Sequence, residues 1–263
     1  MTDSKSHWLI DTHCHIDVYD DPVAEITQAH DAQVHVVAVT EDPGRYRLLR
    51  TRLGRREGVE IALGYHPLRA ATLAPHDLAR FFRLLPQATW VGEIGLDFSR
   101  AGLPTKSQQL RAFEAILAEP QLRTKPVTVH SRGAERDTIT RLAQAQIPAI
   151  LHWYTGPIRL AEDALAAGMY FSINPAMIRS KKANALLRHL PAQRILLETD
   201  GPFARHESRP ARPSDVGAVV DHLAHQWNTP DGQVETIVLA NQQRLLRQST
   251  TAEALSGDGS AGA

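Results

Sequence analysis

Trp8-Leu9-Ile10-Asp11-Thr12-His13-Cys14-His15-Ile16-Asp17 opens as a short apolar strand and ends in two histidines. Residues two apart on a strand point to the same face, so His13 and His15 project side by side and can grip one ion together. The position just after a first strand also separates two α/β architectures. An open doubly wound sheet normally carries a glycine-rich phosphate loop there, whereas this chain carries imidazoles. A bare His-x-His is a weak motif, at home on any surface or in any core. Its weight comes from recurrence. Ligand-type residues stand after four further apolar runs: Glu93 in Val91-Gly92-Glu93-Ile94-Gly95-Leu96-Asp97, His130 in Val127-Thr128-Val129-His130, His152 in Ile150-Leu151-His152, and Asp200 in Leu196-Leu197-Glu198-Thr199-Asp200.

Outward from that stretch, strand and helix patterns alternate. Strands are expected at 8–11, 34–39, 59–63, 90–92, 127–129, 149–151, 169–173 and 194–197, each followed by a helical pattern. The helices expected late in the chain cover 182–190, 216–227 and 234–247. Eight such cycles imply parallel strands joined by crossover helices, which close most naturally into a TIM (β/α)8 barrel of about 250 residues. Residues 1–248 are therefore expected to form one barrel domain, and 249–263 a disordered tail.

Composition narrows the class. Hydrophobic residues make up 43% and charged residues 22% of the 263, ordinary values for a globular protein with a substantial core. No apolar run approaches the roughly 20 residues of a membrane span, and Met1 to His7 reads as polar rather than as a signal peptide, so a cytoplasmic protein is expected. Cys14 is the only cysteine and has no disulfide partner. Alternating with His13 and His15, it points away from them and is read as a packing residue. The formal net charge is zero, so any polyanion must be held locally rather than by an overall field. Only five of the 29 basic residues are lysine, a skew that genome composition explains better than phosphate binding does.

In a (β/α)8 barrel the active site lies at the C-terminal ends of the strands, where all six candidates fall. Together they read as a two-ion site with a bridging carboxylate: His13, His15 and Asp200 on one divalent ion, His130 and His152 on the other, Glu93 between them. Mg²⁺, Mn²⁺ and Zn²⁺ all suit such ligands. Two cations would activate a water near neutral pH, with Asp200 placed to take its proton. His66, after the third strand, is read either as a donor to a phosphoryl oxygen or leaving group or as a structural contact to the Pro67 turn. Arg132 either forks to a phosphate or pairs with Asp137 or Glu135. Trp153 and Tyr154 either stack an unpaired base or wall the pocket. The basic groups Arg179, Lys181, Lys182 and Arg205, Arg209, Arg212 follow strands seven and eight, where barrel enzymes often bind phosphate; solvated loops are the alternative.

Asp-Thr-His-Cys-His-Ile-Asp (11–17), Gly-Tyr-His-Pro (64–67), Gly-Glu-Ile-Gly-Leu-Asp (92–97), Val-His-Ser-Arg-Gly-Ala-Glu-Arg-Asp (129–137), Leu-Leu-Glu-Thr-Asp-Gly-Pro (196–202) and Asn-Gln-Gln-Arg-Leu-Leu (241–246) resemble the successive signatures of the TatD family of metal-dependent deoxyribonucleases, within the amidohydrolase superfamily. The resemblance runs from about residue 8 to 247. It implies a metallo-dependent hydrolase barrel and a divalent-metal phosphodiesterase, often a 3′ exonuclease, with DNA as substrate through a single strand or a 3′ end. It also supports the six-ligand set. Three places depart from the family pattern: Trp153-Tyr154-Thr155-Gly156, Ser208 to Pro213 past the final Asp, and a short stretch after Asp97. Phe171 to Lys182 and Thr199 to Phe203 resemble instead QatD, the TatD-like component of the Qat anti-phage systems. That resemblance implies partner proteins of the same system.

Two other readings compete. The same barrel can run amidohydrolase chemistry on a C–N or ester bond, but many such enzymes bridge their metals with a modified lysine on strand four, where Glu93 stands here. A subunit that binds nucleic acid or a partner inside a defence complex, with little turnover, is the third.

Overall fold

The computed structural model describes residues 8–70, 72–73, 75–147 and 149–257. Eight parallel strands lie side by side in chain order: β1 (Leu9–Cys14), β2 (Val34–Ala38), β3 (Val59–Leu63), β4 (Trp90–Gly95), β5 (Val127–His130), β6 (Ala149–Leu151), β7 (Tyr170–Ile173) and β8 (Ile195–Leu197). Between them run α1 (Pro22–Asp31), α2 (Pro43–Leu53), α3 (Pro75–Leu84), α4 (Lys106–Leu117), α5 (Glu135–Ala145), α6 (Ile158–Ala166), α7 (Pro175–Ile178) and α8 (Lys181–Leu187). The expected α/β TIM barrel is what the chain forms.

Local chemistry sets the helix starts. Asp21 and Asp42 each accept two backbone N–H groups of the first turn, and proline stands at the first helical position of α1 and α2. After β7 the helix expected over 182–190 appears as α8, ending at Leu187, and an additional short helix, α7, precedes it. Asn174 caps α7 and Ser180 caps α8, so the chain stops and restarts within six residues. A two-stranded hairpin, β9 (Arg205–His206) with β10 (Arg209–Pro210), follows β8 and was not expected. Then come α9 (Val216–Trp227) and α10 (Asp231–Gly257). The expected domain limit at 248 thus falls inside α10, and residues 258–263 of the expected tail lie outside the described residues.

Period-two alternation divides the strands between two cores. Val36, Ala38, Leu63, Val91, Ala149, Leu151, Ile195 and Leu197 join the large core under the helices. Their neighbours Val37, Val39, Ala62, Trp90, Ile150, Tyr170 and Leu196 form a smaller core inside the barrel with Leu245 of α10. The C-terminal helix closes the floor: Gln242 accepts from Ile10 N, and Asn241 donates to the carbonyls of Ala192 and Ile195.

Two irregularities aim the upper ends of the strands. The β1–β2 register shifts between Asp11 and Cys14, and the β4–β5 register between Val91 and Ile94. Such bulges re-aim side chains. Here they fall at His13 and at Glu93. The β1–β8 seam is closed by side chains and by backbone just past β8: Thr12 Oγ1 donates to Leu197 O, Asp11 Oδ1 accepts from Thr199 N, Asp200 N donates to His13 O and His15 N to Gly201 O. Cys14 is buried in the large core, as expected of a packing residue.

Candidate metal centre

All six predicted ligands meet at one rim of the barrel. His13 Nε2 lies 3.4 Å from His15 Nε2, 3.5 Å from Glu93 Oε2 and 3.6 Å from Asp200 Oδ1. His15 Nε2 lies 3.4 Å from that Glu93 oxygen and 3.5 Å from that Asp200 oxygen. Four ligand atoms tetrahedrally placed about 2.1 Å from one cation would stand roughly 3.4 Å apart, the spacing seen here. Glu93 turns its other oxygen the opposite way. Its Oε1 is 2.7 Å from His130 Nδ1, 3.1 Å from His152 Nε2 and 3.4 Å from His66 Nε2. Three groups of ligand atoms converge within 4.8 Å: His13, His15 and Asp200; His13, Glu93 and His152; His66, Glu93 and His130. This donor set, nitrogen and carboxylate oxygen facing one another in a buried cleft, fits divalent cations.

Electrostatics shows the strain of holding these groups together. Burial and the neighbouring His152 push His13 down to about 3, despite the pull of Glu93. Burial works to raise the Glu93 carboxyl, but His66 and His152 outweigh it and hold Glu93 well below the usual carboxylate range. Burial pushes Asp200 up to about 7 against the opposing pull of His152 and His15. His152 is raised well above the ordinary imidazole range because Glu93 and Glu198 overcome its burial.

Around the ligands stand Thr128, Asp97 and Glu198 as orienting contacts, none of which the sequence reading gave a role. Thr128 Oγ1 sits 2.7 Å from His13 Nδ1. Asp97 Oδ2 sits 2.8 Å from His130 Nε2. Glu198 faces His152 Nδ1 and also receives Asn174 Nδ2 at 2.9 Å and Trp153 N at 3.0 Å. Such partners fix the tautomer and the direction of a ligand. Asp97 and Glu198 stood in quoted motifs, beside the ligands themselves. Their closeness to Glu93 and Asp200 was the available signal.

The substrate candidates divide. His66 makes the contact expected of it in the Pro67 turn, where Nδ1 accepts from Leu68 N, and its Nε2 faces Glu93 at 3.4 Å. Arg132 is exposed beside the site and pairs with neither expected acid, for Asp137 is engaged by Arg141 and Glu135 accepts from Gly133 N. Trp153 is half-buried, but Tyr154 is not a stacking platform: it is 1% exposed, and its hydroxyl donates to Pro157 O. Of the strand-eight arginines, Arg205 is exposed and donates only to the carbonyl of Ser208, while the other two are committed to carboxylates. Arg209 grips Asp215 with two bonds of 2.7 Å, and Arg212 faces Glu25 at 3.8 Å. The sequence reading missed Phe203, 53% exposed with its ring edge-to-face on His15 at 4.8 Å.

Comparison with known proteins agrees with this geometry. A family model described as TatD related DNase matches residues 10–247. Human deoxyribonuclease TATDN3 is 34% identical over 264 residues, covering 91% of this chain and 93% of the human protein. The 3′-5′ ssDNA/RNA exonuclease TatD of Edwardsiella piscicida is 34% identical over 197 residues, 70% of this chain and 75% of its own length. Among solved structures, the TatD homologue YJJV of Escherichia coli K12 superposes with a TM-score of 0.76 at 22% identity, covering 92% of this chain and 98% of that one. The chain belongs to the TatD-related DNase family, whose members are metal-dependent hydrolases.

Proposed function

We propose that this enzyme is a DNA phosphodiesterase with two divalent ions, Mg²⁺, Mn²⁺ or Zn²⁺, that removes nucleotides from 3′ ends. The observation that carries the reading is Glu93, whose two carboxylate oxygens face two separate groups of imidazoles. In this reading His13, His15 and Asp200 would hold one ion and His130 and His152 the other, with Glu93 as a ligand open to both. A bound ion pair supplies positive charge that activates water and neutralises the phosphoryl oxygens. Asp200, just past the end of β8 and facing His13 and His15, would take the proton of the attacking water. His66 stands across Glu93 from Asp200 and donates to a nonbridging or leaving oxygen. Arg132, exposed at the rim, is available to a phosphate, and Trp153 to a base.

The presence of Glu93 on β4 in place of a lysine favours phosphodiester over C–N cleavage. The QatD-like stretches after β7 and β8 support a role in anti-phage defence, with partner proteins from the same system. Among the described residues no helix is long and apolar enough to cross a membrane, which agrees with the cytoplasmic placement proposed here.

The test is digestion of end-labelled single- and double-stranded DNA and RNA with Mg²⁺ or Mn²⁺. The expected result is stepwise shortening from the 3′ end, reduced on the order of 10³-fold in Glu93→Ala. Metal analysis should return two equivalents per chain. No degradation with any divalent ion, or an undiminished Glu93→Ala variant, overturns the reading. Co-purification with neighbouring gene products tests the defence role.

A further inference from the structure

The cations expected to hold phosphate after β7 and after β8 are not equivalent. Arg209 and Arg212 have carboxylate partners, Asp215 and Glu25. Among the described residues no carboxylate pairs with Arg179, Lys181 or Lys182, all three exposed. Arg179 donates to the carbonyl of Glu207, and Lys182 to that of Thr155. Carbonyls leave the full positive charge in place; after β8 this holds only for Arg205, which donates to the carbonyl of Ser208, whereas after β7 three such cations stand together and retain their attraction for an anion.

Lys182 of this cluster lines a cavity of about 260 Å³ between the ends of β6 and β7. Trp153, Met177, Ala183 and Leu186 supply its apolar wall, and Ser180 and Lys182 stand among its polar lining. The cavity is tied to the metal centre through one buried carboxylate. Glu198 faces His152 and also takes the backbone N–H of Trp153 and the side chain of Asn174, whose other end caps α7. An apolar recess with an aromatic wall, a cationic border and a rigid link to a phosphoryl-cleaving site has the chemistry of a nucleotide unit.

We infer that single-stranded nucleic acid leaves the metal centre over the β6–β7 side, with one unpaired base in the Trp153 cavity and its neighbouring phosphates on Arg179, Lys181 and Lys182. Arg209 and Arg212, held by carboxylates, take no part. This rests on the nuclease reading and assigns that site its binding track.

The test measures binding of a short fluorescent phosphorothioate-linked oligonucleotide to the metal-loaded protein between about 50 and 200 mM salt. Replacing Arg179, Lys181 and Lys182 together by Ala should make the slope of log K against log salt shallower by about 2, from roughly 0.7 per lost contact. Replacing Arg209 and Arg212 by Ala should leave the slope unchanged. In cleavage assays, Trp153→Ala and the cavity-filling Ala183→Phe should raise KM by about five-fold or more with little change in kcat. That increase should vanish on a substrate abasic at the bound position. A slope unmoved by the triple substitution, or flattened by the strand-eight pair instead, overturns the track. If the wild type cleaves DNA in those same assays, only the track has failed and the nuclease reading stands.

Discussion

Glu198 sets its Oε2 3.4 Å from Nδ1 of His152, on the side of the ring opposite Glu93, which approaches Nε2 at 3.1 Å. A carboxylate on one imidazole nitrogen holds the proton there and leaves the other nitrogen as a lone-pair donor. Glu198 is therefore a positioning residue for the second ion. In Glu198→Gln, which keeps the shape and removes the charge, metal affinity should fall about 10- to 100-fold at one of two sites. Calorimetric titration with Mn²⁺ or Zn²⁺ reads this directly. Glu198→Ala also abandons the Asn174 and Trp153 donors in a buried place, so it should lower stability by about 1–3 kcal/mol, seen in a urea melt. Two unchanged binding constants in both variants would remove Glu198 from this role.

The contrast between Glu198 and its neighbour Asp200 shows what the sequence carries. His13, His15, Glu93, His130, His152 and Asp200 were legible because residue type and position at a strand end suffice to mark a ligand. Glu198 depends on which side chains β6 and β7 bring to it, and no local pattern states that. Residue pairing across the barrel is equally silent. Arg212 reads as a free cation until Glu25, far earlier in the chain, is found beside it. The bulges at His13 and Glu93 are also relations between strands, invisible in either strand alone. Helix periodicity, by contrast, predicted α2, α9 and the eight-fold alternation, because an amphipathic period is written in one segment.

Removing the metal should loosen the whole rim. Five imidazoles and two carboxylates are packed there with little solvent, and bound cations would offset their desolvation. Ligand linkage gives about 2.7 kcal/mol at a free ion concentration 100 times Kd. For a domain of this size the melting temperature should fall by roughly 5 to 10 °C when EDTA replaces Mn²⁺. Differential scanning fluorimetry with and without added metal checks it, and a coincident pair of melting curves would contradict a metal site in this cluster.

Phe203 is expected to matter for substrate and not for folding. Its ring is half exposed and meets only the edge of His15 among the aromatic contacts, so truncation removes little buried area. A stacked base is worth about 1–3 kcal/mol, so Phe203→Ala should raise KM for single-stranded DNA by about five-fold or more. The melting temperature should stay within a degree or so, as for most surface changes. A melting temperature that drops while KM holds would make the ring a structural lid on His15.

Gly92 links backbone geometry to the metal ligands. Its φ of +156° lies in a region that side chains rarely adopt, and a Cβ there would run into Cγ2 of Thr128. Thr128 is the residue whose Oγ1 meets His13 Nδ1, and Glu93 is the next residue after Gly92. A methyl group at 92 must displace either the β5 threonine or the β4 backbone, and each route moves a ligand. Gly92→Ala should therefore cost about 1–3 kcal/mol of stability and weaken metal binding together. Gly217, in α9, has nothing within 4 Å of its missing Cβ and helical neighbours on both sides. Gly217→Ala should be neutral or stabilising by up to about 1 kcal/mol, with metal binding untouched. Measuring melting temperature and Mn²⁺ affinity in both variants separates the two effects: if Gly92→Ala behaves like Gly217→Ala, the close packing of β4 on Thr128 does not position the ligands.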